Sequence, residues 1–133
     1  MKKFNKKQQV EYYYSCVFNS LVLFAMSFDD LMKMKSPAFS PMFELETEYD
    51  DGFNDYVLNQ NFENKKINPA LKPNIDSFKL KVENLKKGFW KLEFVKSHPQ
   101  WEEIRMVANN LLNKMGEKRR NYDSGFTAIV VAD

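Results

Sequence analysis

A chain of 133 residues with a formal net charge of +2, 44% hydrophobic and 15% aromatic residues suits one globular domain spanning 1–133, and excludes a disordered chain. Its one cysteine, Cys16, excludes an internal disulfide, and with the one histidine, His98, it falls short of a zinc quartet. The small net charge hides a segregation: residues 36–64 carry seven acids and no base, whereas residues 65–97 carry nine lysines against three acids.

The first predicted element is a long helix. Val10, Tyr14, Val17, Leu21, Phe24, Phe28 and Leu31 recur at steps of four and three, which keeps them on one helical face. Pro37 sets its end near Lys35. At a rise of about 1.5 Å per residue, residues 10–35 would form a rod of roughly 39 Å. Four lysines followed by the apolar run Cys16–Phe28 imitate a secretory signal, but Glu11, Asn19 and Ser20 interrupt that pattern, and a bilayer span needs about 20 apolar residues. The segment therefore reads as a core helix of a soluble, cytoplasmic protein with no membrane association. Tyr12, Val22, Leu23 and Met26 lie off the main stripe, so either a second layer covers them or they form a homodimer contact through this helix.

Beyond Pro37 the period changes. Phe43, Leu45, Thr47 and Tyr49 alternate with Glu44, Glu46 and Glu48, the pattern of a half-buried strand, and Asp50-Asp51-Gly52 supplies a turn. Tyr56–Leu58 reads as a short partner strand and residues 59–74 as a loop. Residues 75–95 fit two patterns. Ile75, Phe78, Val82, Leu85, Phe89 and Leu92 suit a helix, while Phe78, Leu80, Val82 and then Trp90, Leu92, Phe94 suit a hairpin turning at Lys87-Gly88. The aromatic and β-branched content favours the hairpin. Within it, Lys87-Gly88-Phe89-Trp90-Lys91-Leu92-Glu93-Phe94 resembles the RNP1 stretch of RNA-recognition domains, except that Lys91 stands where a stacking aromatic belongs.

Next comes a helix opened by the Ser97–Gln100 capping box and Pro99, with Trp101, Ile104, Val107, Ala108, Leu111, Leu112 and Met115 as its buried stripe and Gly116 as its stop. The apolar run Phe126–Ala132 reads as a central strand. Together these predict an α+β fold of order α-β-β-β-β-α-β, a mostly antiparallel sheet of four to five strands packed by a long N-terminal helix and a second helix.

No catalytic constellation, metal site or cofactor motif stands out, and a non-enzymatic protein is expected. Cys16 sits among apolar neighbours and reads as core; His98 stands beside the cap of the second helix, where it reads as satisfying backbone groups or facing solvent. The acidic block Glu44, Glu46, Glu48, Asp50, Asp51 and Asp55 is the candidate partner-binding surface, because its self-repulsion calls for a positive counterpart. Lysines from residues 65–96 could supply that counterpart inside the chain. A basic protein partner could supply it from outside. The expectation is a bacterial immunity protein that neutralises a toxin, such as a nuclease, through this acidic face, with 17 lysines against three arginines suggesting an AT-rich genome. The alternative is a nucleic-acid-binding module using the Lys/aromatic hairpin 78–96.

Overall fold

In the computed structural model, residues 5–37 and 39–122 are described, and they form helices and connecting turns with no β-strand. The predicted α+β architecture is therefore corrected to an all-helical one. The helices are α1 (Lys6–Ala25), α2 (Phe28–Lys33), α3 (Pro41–Gly52), α4 (Asp55–Glu63), α5 (Lys72–Lys86), α6 (Leu92–Ser97) and α7 (Pro99–Lys114), with a 3-10 turn at Pro69–Leu71. One isolated antiparallel bridge joins Ser36 and Phe39.

α1 starts in a capping box. The Gln8 N–H donates to Asn5 Oδ1 at 2.8 Å, and the Asn5 N–H donates to Gln8 Oε1 at 2.9 Å. The expected 26-residue rod is broken: Met26 is extended, and Ser27 caps α2 by accepting the Asp30 N–H at 3.1 Å. Ser27 with acids at 29 and 30 is a helix start, which the continuous apolar spacing obscured. The Arg105 guanidinium secures the break by donating to Met26 O at 2.8 Å and to Val95 O at 3.3 Å.

Every residue from Tyr14 to Phe24 is buried, because α3, α4 and α7 pack around α1. Val22 and Leu23, off the expected stripe, are 1% and 0% exposed within the single chain. The reason for placing a homodimer contact on them therefore falls away.

α3 replaces the expected strand 43–49. Pro41 occupies its first turn, and Leu45, Tyr49 and Gly52, spaced at four and three, form its buried side. Phe43, which strand alternation would bury beside Leu45, is 64% exposed. At Gly52 the helix comes so close to α1 that a β-carbon would lie 2.6 Å from Cys16 O. α4, capped by Asn54 and buried through Val57, Leu58 and Asn61, replaces the short strand at 56–58 and part of the expected loop.

The hairpin expected over 78–94 is likewise absent. Ile75, Phe78, Val82 and Leu85 form the buried stripe of α5, and Leu80, which the strand pattern would bury, is 64% exposed. Lys87-Gly88 ends α5, Gly88 taking φ 141°, and short α6 follows. α7 forms as its stripe predicts, with Trp101, Ile104, Ala108, Leu111 and Leu112 buried. Its cap is His98 rather than Ser97: His98 Nδ1 accepts the Gln100 N–H at 3.1 Å. The strand expected at 126–132 lies outside the described residues.

An aromatic cluster fills the centre. Phe24 stacks on Trp101 at 6.1 Å and meets Phe78 edge-on at 5.4 Å, while Phe53 lies 4.8 Å from Phe78.

Candidate protein-binding face

Folding residues 41–52 as a helix redistributes the acidic block. On a strand, Glu44, Glu46 and Glu48 would share one face. On α3, with about 100° between successive residues, Glu44, Glu48 and Asp51 share one flank and Glu46 and Asp50 the other. The buried stripe Leu45–Tyr49–Gly52 lies between the two flanks, and exposed Phe43 lies outside.

The two flanks have different electrostatics. Asp50 is 3.7 Å from Lys86 Nζ, and Asp55, on α4, is 3.5 Å from Lys79 Nζ, so α5 lysines offset these two acids inside the chain. Both pairs are solvent-exposed on the acid side and contribute little stability. No lysine or arginine of the described residues comes within ion-pair range of Glu44, Glu46, Glu48 or Asp51.

Glu48 and Asp51 are also the strained members. Burial raises the Glu48 carboxyl above the usual carboxylate range; the hydroxyl of Tyr122, donating to Oε1 at 2.9 Å, partly counters this, and Asp51 and Glu44 add to it. Asp51 is raised by burial and then by Asp50. Across the gap on α1, the neighbouring Cys16 together with burial pushes the Tyr12 phenol up to about 12. Burial pushes the Cys16 thiol up to about 11. At 6% exposure this thiol stays protonated at neutral pH and fills space, in keeping with its reading as core. Tyr122 was not among the expected site residues, and its pairing across 74 positions leaves no local signal. The grouping of Glu44, Glu48 and Asp51 was readable as i, i+4, i+7 once a helix was assumed.

The lysines and aromatics of the supposed hairpin do not form a stacking platform. Lys81 pairs with Glu103 at 2.6 Å, and Lys86 lies over the rings of Tyr49 and Trp90 at 5.1 and 5.8 Å. Trp90 packs 5.2 Å from Trp101, while Phe89 lies 4.3 Å from the His98 ring. The RNP1-like stretch begins at the end of α5 and runs into α6, and its aromatics are partly buried against the core, unlike bases-facing residues of a sheet.

Among the described residues, no group of three or more His, Cys, Asp or Glu side chains is arranged to hold a metal ion, and no helix is long and apolar enough to cross a membrane. Compared with known proteins, the chain matches no family model, no curated protein and no solved structure.

Proposed function

We propose that this chain is a non-enzymatic protein-binding inhibitor, of the immunity kind, that docks the acidic surface of α3 on a basic face of a toxin. The carrying observation is that Glu44, Glu48 and Asp51 crowd one flank of α3 with no cation of the described residues paired to them. Mutual repulsion makes this arrangement unfavourable for the isolated chain, and a cationic partner would offset it by favouring the ionised carboxylates. Phe43, 64% exposed on the same helix but nearer the Glu46–Asp50 flank, offers an aromatic anchor at the edge of that surface. Asp50 and Asp55, already offset by Lys86 and Lys79, contribute less to that surface than their place in the block suggests.

Co-expression with the product of each neighbouring gene, followed by capture at rising ionic strength, tests the reading. A basic protein should co-purify, and its association rate should fall as salt rises. The double variant Glu44→Lys/Asp51→Lys, whose fold is checked by circular dichroism, should weaken the complex by about tenfold or more. A complex with a basic partner that is indifferent to this variant would defeat the assignment of the face. The absence of any complex would defeat the inhibitor reading itself.

A further inference from the structure

A groove lies between α5 and α7, and a wider cleft lies at the C-terminal end of α7, the two sharing Lys114 as a lining residue. In the groove, Asn74 and Ser77 of α5 and Asn110 of α7 stand around an apolar floor of Val107 and Leu111, in a cavity of about 230 Å³. Lys114 borders this groove and also the cleft beyond it, a cavity of about 670 Å³ that Lys65, Lys66 and Asn68 line from the other side. No carboxylate lines either part among the described residues.

The three lysines have different standing. Lys66 is committed to the fold: its ammonium donates to Glu11 at 2.9 Å and lies 5.1 Å from the centre of the Tyr14 ring. Lys65 and Lys114 form no ion pair among the described residues. Lys65 also holds a left-handed backbone, φ 56°, a conformation that costs a non-glycine residue about 1 kcal/mol or more. Glycine or asparagine would occupy it at less cost. The turn is held firmly, because Asn61 O accepts the N–H groups of Lys66 and Ile67, and the Ile67 side chain is buried. Lys114 is not needed to satisfy the end of α7, whose carbonyls at Leu111, Leu112 and Asn113 accept N–H groups from Met115, Glu117 and Gly116.

We infer that this groove and cleft bind a small organic phosphate. Its phosphates sit between Lys65 and Lys114, and its uncharged body lies on Val107 and Leu111 with Asn74, Ser77 and Asn110 available for hydrogen bonds. The inference is independent of the acidic face, and neither stands or falls with the other.

Calorimetric titration of the full chain with pyrophosphate, ADP and adenosine tests it. Pyrophosphate should bind and ADP should bind more tightly; adenosine alone should bind weakest. Lys65→Ala/Lys114→Ala should weaken both phosphates by about tenfold or more, whereas Lys87→Ala/Lys91→Ala, exposed lysines elsewhere, should leave them unchanged. Asn110→Ala should remove the advantage of ADP over pyrophosphate and leave pyrophosphate itself unaffected. The inference is overturned if neither phosphate binds at about 1 mM, if both lysine pairs matter equally, or if ADP gains nothing over pyrophosphate. Oligothymidylate binding that tightens with length and outcompetes ADP would also overturn it, showing a diffuse polyanion surface in place of a site.

Discussion

Gly52 lies where α1 and α3 approach closely. A β-carbon there would meet Cys16 O at 2.6 Å, Cys16 C at 2.9 Å and Val17 Cα at 3.1 Å, all backbone atoms that cannot turn aside. The two helices would have to separate, reopening the packing around Leu45 and Tyr49 that sets the position of the acidic flank. Gly52→Ala should therefore destabilise the fold by about 3 kcal/mol despite the better helix propensity of alanine, read as a fall in denaturant midpoint at unchanged slope. A variant as stable as the wild type would show that the helices are not in close contact.

At the scale of elements, Arg105 matters more than its position on α7 suggests. Its guanidinium bonds Met26 O at the α1–α2 break and Val95 O in α6, so one side chain holds three helices to a fourth. Arg105→Met keeps much of the apolar stem and strands both carbonyls, and a loss of about 2 kcal/mol is expected in chemical denaturation. An effect within 0.5 kcal/mol or so would mean that water replaces the guanidinium without cost. These elements were unequally legible in the sequence. α7 was readable because its stripe, proline start and glycine stop agree, as was the buried face of α1. α3 was not, because three glutamates at every second position imitate a strand, and only the exposure of Phe43 separates the two periods. Residues 75–86 fitted both periods, and aromatic content favoured the wrong one; the wide spacing Ile75–Phe78–Val82–Leu85 decides for the helix. The acidic block was legible as composition. Its division into an internally paired flank and an unpaired one was not, because that depends on the period and on which lysines α5 presents.

Taken as a whole molecule, the chain carries carboxylates whose titration works in opposite directions. The Arg119 guanidinium, with help from the Tyr14 hydroxyl, holds Glu117 down to about 2 from an ordinary 4.5. A depressed folded value means that its stabilisation is present above about 4.5 and is lost as pH falls toward about 2. Glu48 and Asp51 are raised by burial, so their contribution is fully present below the unfolded value and is lost as pH rises through the folded one. Thermal stability should thus pass through a maximum at mildly acidic pH, near the ordinary carboxylate value. Glu117→Gln should flatten the acid limb, and Glu48→Gln, which keeps an acceptor for Tyr122, should flatten the other and raise the midpoint at neutral pH. Differential scanning calorimetry across this range checks it; a stability that only climbs toward neutrality would contradict the strained state of the Glu48 flank.

The central position of α1 also bears on synthesis. It is made before the helices that cover it: every residue from Tyr14 to Phe24 is buried by elements later in the chain, the last of them α7. At bacterial or eukaryotic translation speeds of roughly 5–20 residues per second, α7 follows about 5–20 seconds behind. For that interval α3 and α4 can cover part of α1, but the side that α7 buries stays open. α1, buried on all sides from Tyr14 to Phe24 in the finished protein, is thus the helix whose apolar surface waits longest for its full cover during synthesis.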